Sequence, residues 1–193
     1  NNTPVSYLEN GEEKFFEEDF IMAADSNFFD VFTITILEGT PETALQKNSD
    51  IVLTEETARR YFGEEKALGR TLRIFNQDYS VSAICERLPH NSHMKFDMLV
   101  SWWFVEDKSR LDEKEGAWKW PEFYTYIRLA QGVSITQIES KLSDFYYRHN
   151  GEYLKRMNVK EQPRFQLLTD IHLKSPPMGK ERAEIGSERM MNF

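Results

Sequence analysis

From Tyr79 to Cys85 apolar and polar positions alternate: Tyr79, Val81, Ala83 and Cys85 face one way, Ser80 and Ser82 the other, and Ile84 breaks the pattern. A period of two is the mark of a strand with one buried face. Upstream, Ala58, Tyr61 and Phe62 recur at i, i+3, i+4, which predicts a helix of about two turns. Thr54 precedes it as N-cap, Glu55 and Glu56 suit the positive end of its dipole, and Gly63 stands where a left-handed residue ends it. Residues 51–53 are a short apolar run before this helix. Residues 71–75 and 79–85 are expected to pair as a hairpin across a turn at Asn76, Gln77 and Asp78. A loop at 89–93 then leads into a strand at 96–100.

The flanking regions carry the same two periods. Asn10-Gly11 is a two-residue hairpin turn that pairs 5–9 with 13–18. Residues 20–24 continue as a strand, Phe28, Phe29 and Phe32 form the apolar face of a short capped helix, and 41–50 is a polar connection. Toward the C-terminus, 123–129 reads as a strand, with Phe123, Thr125 and Ile127 on one face. Ser134 and Gln137 then form a capping box that opens a helix over 135–148. Its Ile135, Ile138, Leu142, Phe145 and Tyr146 share a face; His149-Asn150-Gly151 reads as an interruption, with Tyr153, Leu154 and Met157 spaced to continue a helix as the alternative. The helix is expected to pack through Ile138, Leu142 and Phe145 on a sheet containing 123–129 and a last strand at 164–168. The charged run 104–116 reads as a solvated loop or frayed helix, and 174–193 as an exposed tail.

Composition narrows the function more than the fold. With 193 residues, 40% apolar and 13% aromatic, the chain buries a real core in one large domain or two small lobes. Its 32 acidic against 24 basic residues, net −8, repel phosphate-rich partners, so nucleic acid and anionic head groups are not expected. Cys85 is the sole cysteine, which excludes an intrachain disulfide and a multi-cysteine metal site. The most apolar segment, 98–105, is far shorter than the roughly 20 residues of a membrane span. The chain begins at Asn1 without an initiator methionine or signal pattern, and is read as part of something longer.

Candidate chemistry is sparse. His90 and His93, with Asp97 beyond, supply two ligands in a loop without the i, i+4 helical spacing of a metalloprotease, so no metal is expected there. No Gly-x-Ser-x-Gly elbow and no phosphate loop occurs, and Cys85 lies on an apparent buried strand face. The carboxylate pairs Glu12-Glu13, Glu17-Glu18, Glu55-Glu56 and Glu64-Glu65 sit in polar surroundings and read as surface. No cofactor is expected. The aromatic group including Trp102, Trp103, Trp118 and Trp120 is either core or a partner or ligand surface, and both readings stay open.

One series of phrases carries a resemblance. Ile-Val-Leu-Thr, Ala-x-x-Tyr-Phe-Gly, Ala-Leu-Gly-Arg-Thr-Leu, Val-x-Ala-Ile and Pro-x-Asn-Ser-His-x-x-Phe-Asp follow one another from Ile51 to Asp97. Preceded by 24–32 with Leu37-Glu38-Gly39, and followed by 125–129 and Ile171-His172-Leu173, the order resembles the MacB-like periplasmic core domain of bacterial ABC-transporter permeases of the MacB/FtsX type. The resemblance implies an α+β, two-lobed domain on the periplasmic side of the inner membrane, between the first and second membrane helices. It implies a discontinuous porter-like lobe from 1–45 and 120–193 and an inserted lobe at 46–119. By the same resemblance the domain is non-catalytic and transmits motion driven by a cytoplasmic ATPase, with a second permease copy and a periplasmic protein as further partners. The alternative is an extracytoplasmic sensor of a peptide or lipid, for which Trp102, Trp103 and Trp118 would line a pocket.

Overall fold

Asn10 and Gly11 both take positive φ, 52° and 85°, and turn β1 (Thr3–Glu9) back onto β2 (Glu12–Glu18) as an antiparallel pair. The computed structural model describes residues 3–101, 124–158 and 164–171. The chain divides into two units, Asn1–Asp107 and Lys108–Phe193. In the first follow β3 (Ile21–Ala24), α1 (Phe28–Val31), β4 (Ile36–Glu38), β5 (Asp50–Thr54), α2 (Glu55–Phe62), β6 (Thr71–Ile74), β7 (Gln77–Cys85) and β8 (Met98–Ser101).

All eight strands join one mixed sheet in the order β2-β1-β6-β7-β5-β8-β3, with β4 also on β7. β5 runs parallel to β7 and β3 parallel to β8; the other pairs are antiparallel. The expected division after residue 45 falls inside this sheet. β1, β3 and β4 from before it hydrogen-bond to β6, β8 and β7 from after it, so the sheet joins residues from both sides.

The central strand β5 is buried along its whole length because apolar layers cover both faces. One layer gathers Tyr7, Leu53, Tyr61, Phe62, Leu72 and Tyr79 under α2. The other gathers Phe28, Leu45, Val52, Phe96 and Leu99 under α1. Each fully buried Leu, Ile, Val or Phe side chain contributes about 1.5–3 kcal/mol relative to exposure. α2 is bounded where its sequence predicts: the Thr57 amide donates to Thr54 Oγ1 at 3.3 Å, and Gly63 ends the helix at positive φ, 61°, with ψ −127° in place of the left-handed helical value.

The irregularity at Ile84 has a structural cause. Ile51 lies opposite Val81 and Val52 opposite Ala83, so Ser82 is an extra residue in β7, a β-bulge. The bulge inverts the alternation. Tyr79, Val81 and Ile84 enter the α2 layer, and Ala83 and Cys85 enter the other. Ser82 stays satisfied, its hydroxyl donating to the carbonyl of Ile51 at 3.1 Å and contacting that of Ala44. The β6–β7 turn is also tighter than its sequence suggests. It uses Phe75 and Asn76, both at positive φ, and Gln77 and Asp78 already belong to β7.

In the second unit, α3 spans Ile135–Met157 and passes through His149, Asn150 and Gly151 without a break. A single helical glycine costs only about 1 kcal/mol, and Tyr153 and Leu154 prolong the inward stripe. Gln137 Oε1 accepts from the Ser134 amide at 3.1 Å, as the capping box requires, and Asn158 ends the helix in the left-handed region. The partly buried face is Ile135, Ile138, Leu142 and Tyr146, continued by the buried Asn150 and Leu154; Phe145 lies off it, exposed. The strands expected at 123–129 and 164–168 do not form among the described residues: 124–130 and 164–167 have no ladder, and Leu168–Asp170 is a 3₁₀ turn. Alternation supplies a face but not a pairing partner. The run 104–116 and the segment 174–193 lie outside the described residues.

Candidate functional site

Strand period places Glu18 on the same face of β2 as Phe16, and there it meets α2. Glu18 is only 3% exposed. Arg60 Nη2 donates to both of its carboxylate oxygens at 2.8 Å, and the Tyr61 hydroxyl donates to Oε1 at 2.7 Å. The Tyr61 ring stacks on Phe16 with centroids 4.2 Å apart, and the Tyr7 hydroxyl donates to the Tyr61 carbonyl at 2.7 Å. Burial, then the bond to Glu18 and its charge, push the Tyr61 phenol well above its ordinary range, so it remains a donor. This cluster clamps the β1–β2 hairpin to α2. The reading of Glu17-Glu18 as a surface pair therefore fails for Glu18, and the missed signal was the two-residue step from Phe16.

Asp97 stands where three strands meet. Its amide donates to the Phe20 carbonyl at 2.8 Å, and its carbonyl accepts from the Thr54 amide at 3.1 Å. Desolvation raises its carboxyl pKa; Glu56 adds to this, while Arg60 and Arg87 oppose it. The His93 ring lies 6.4 Å from that of Phe32, and burial lowers its pKa. His90 is exposed. Ser92 orders the loop, Oγ accepting from the Met94 amide at 3.2 Å. Among the described residues no three His, Cys, Asp or Glu side chains are placed to hold a metal ion. Cys85 is fully buried, and desolvation pushes its thiol up to about 12, leaving it protonated and shielded from reactants.

The face of β1, β2 and β6 turned away from α2 differs in character. Leu8 and Phe15 are each 69% exposed on it. A shallow concavity of about 300 Å³ is lined by Ser6, Leu8, Glu13, Thr71, Arg73 and Asp78, and reaches Tyr7, Arg70 and, at the end of α2, Phe62. Arg73 Nε donates to Asp78 Oδ1 at 2.7 Å, which holds the Asp78 carboxyl below its ordinary pKa, and Ser6 Oγ donates to Glu13 Oε1 at 2.7 Å. The concavity thus mixes these polar side chains with the apolar Tyr7, Leu8 and Phe62. Trp102, Trp103, Trp118 and Trp120, the surface proposed from sequence, lie outside the described residues.

Comparison with known proteins places this geometry in context. Residues 2–145 match the family model of the MacB-like periplasmic core domain. Among solved structures, a domain of a protein assigned as a permease from Porphyromonas gingivalis is similar at 24% identity and TM-score 0.56, over 77% of this chain and 70% of that one. The periplasmic region of MacB from Actinobacillus actinomycetemcomitans is similar at 15% identity and TM-score 0.48, over 83% and 76%. The extracellular domain of the ABC-type transporter YknZ from Gram-positive bacteria is similar at 14% identity and TM-score 0.46, over 86% and 79%. No curated protein matches.

Proposed function

The chain belongs to the MacB-like periplasmic core domain family and is the periplasmic part of an ABC-transporter permease, and from that membership we propose that it works as a non-catalytic mechanical module. It carries motion from ATP hydrolysis by a cytoplasmic ATPase to the periplasmic side and contacts substrate or partner proteins there. A second copy of the permease is part of the working assembly. The return of residues 120–193 to the first region, completing a porter-like lobe, belongs to the same proposal. The observation that carries this reading is the family match, which spans the whole of the described sheet and the first turns of α3, as far as Phe145. The buried clamp between Glu18, Arg60 and Tyr61 supports it, because a module that transmits force needs its elements tied to one another.

The test uses the full-length permease with its ATPase in liposomes, spin-labelled at exposed Glu64 in the first unit and exposed Lys155 in the second. An ATP-dependent change in the distance between the labels is expected. Identical distance distributions with and without ATP, under conditions of measured hydrolysis, would refute mechanical transmission. Turnover of an ester, peptide or glycan by the chain, abolished by one point substitution, would refute the non-catalytic part.

A further inference from the structure

The apolar layer under α1 contains no residue of β1, β2 or β6, so among the described core residues that end of the sheet has one open face. Leu8 and Phe15 lie on it as neighbours, because Ser6 is opposite Phe15 and Leu8 opposite Glu13 in the hairpin register. β2 also ends the strand order, pairing among the described residues with β1 alone. Its far side presents alternate backbone N–H and C=O groups, which template an added strand.

Charge decides which strand fits. β2 reads Glu12, Glu13, Lys14, Phe15, Phe16, Glu17, Glu18. Lys14 pairs with Glu9 and lies on the α2 side with Phe16 and Glu18. The open face therefore presents Glu13, Phe15 and Glu17 in succession. A second copy pairing antiparallel about Phe15 would set Glu13 against Glu17 twice, and like charges directly opposed are destabilising. Glu13 accepts from Ser6 through one oxygen, and a carboxylate has further acceptor sites for a cation.

We propose that the β2 edge receives an extended segment of a partner protein as an added strand. That segment carries basic, apolar and basic residues at alternate positions, set against Glu13, Phe15 and Glu17, with Leu8 of β1 extending the apolar patch behind Phe15. Backbone pairing supplies affinity, and the two carboxylates select a basic partner over an acidic one. The inference deepens the transporter reading by naming a partner class, yet its test needs neither membrane nor ATP, so either can fail without the other.

The 193-residue chain is titrated with a synthetic nonapeptide alternating Lys, Thr and Val, and with the same peptide carrying Glu for Lys, by calorimetry and amide NMR. Saturable binding of the basic peptide is expected, weakening with salt, with the largest amide shifts at residues 12–18. Phe15→Ser is expected to weaken it at least about tenfold, since a buried aromatic anchor is worth more than 1.4 kcal/mol. Glu13→Lys with Glu17→Lys should exchange the preference to the acidic peptide. Unchanged unfolding midpoints in these variants show that the fold is intact. Equal binding of both peptides, shifts located elsewhere, or no binding at millimolar peptide would overturn the proposal. So would sedimentation showing a dimer of the chain that Phe15→Ser dissolves, which would make the occupant a second copy.

Discussion

Gly39 lies so close to Ser82 that a Cβ on it would sit 2.7 Å from the Ser82 carbonyl oxygen. It would also lie 3.1 Å from the Cα and Cβ of Ala83, and Gly39 holds φ at 86°. Gly39 thus follows β4 against the bulged part of β7, and only a residue without a side chain tolerates both the contact and the backbone angle. Gly39→Ala is expected to lower stability by about 1–3 kcal/mol from the backbone angle alone, and further if the Ser82 carbonyl must move. Denaturant unfolding measures it. A loss below about 0.5 kcal/mol, ordinary for surface sites, would show that β4 slides away at little cost.

Arg60→Ala leaves the buried Glu18 carboxylate with the Tyr61 hydroxyl as its remaining partner in the clamp. Arg60 is partly exposed, so water replaces some of what is lost, and the cost is expected at about 1–3 kcal/mol rather than the full value for a buried pair. Tyr61→Phe should cost about 1–3 kcal/mol by unsatisfying the same carboxylate. The two are expected to couple in a double-mutant cycle, and strict additivity would show that Glu18 is served independently by each.

Three substitutions along α3 rank its face. Leu154→Ala, at a buried position, is expected to cost about 2–5 kcal/mol. Leu142→Ala, partly buried, should cost less, and Phe145→Ala under about 0.5 kcal/mol because that ring lies off the buried stripe. Thermal or denaturant midpoints measured for the three variants decide the order. A reversal between Leu154 and Phe145 would mean that the helix is rotated about its axis.

Asp97 predicts a pH dependence with a definite sign. Its carboxyl pKa is raised above 3.8, chiefly by burial, so the unfolded chain releases that proton more readily. The contribution of the protonated group to stability is full below the unfolded value and is lost as pH rises through the raised one. Asp97→Asn should therefore be more stable than the parent at neutral pH. The difference should shrink as pH falls into the ordinary carboxylate range. An advantage that grows on acidification would contradict the assignment.

Sequence and structure agree most closely where the determinant is local. Thr54 and Gly63 bound α2 because a cap needs only its own helix, and Asn10-Gly11 turns its hairpin because both residues accept positive φ. Agreement fails where a partner lies elsewhere in the chain. Residues 124–130 alternate as a strand does yet have no ladder among the described residues. Glu18 looks like one of many surface carboxylates until Arg60 and Tyr61 arrive from α2. Ile84 looked like a flaw in a pattern, and only the pairing with β5 reveals the extra residue at Ser82. The family resemblance was legible for the same local reason, since its phrases span caps, turns and strand ends. The open face bearing Leu8 and Phe15 was not, because single apolar residues among glutamates carry no periodic signal of exposure.

The parallel pairing of β3 with β8 has a consequence for the order in which the protein assembles during synthesis. Ile21 waits for Met98, and the β8 edge of β5 is not covered until Met98–Ser101 has left the ribosome. Closing so long a loop is entropically costly and slow compared with forming the local β1–β2 hairpin or α2. Until then Val52 and Leu99 cannot meet, and the emerging chain exposes the apolar strand that ends up most deeply enclosed. A translational pause before residue 98 would thus hold the nascent chain in its most aggregation-prone state, and a pause after residue 101 would leave the sheet free to close.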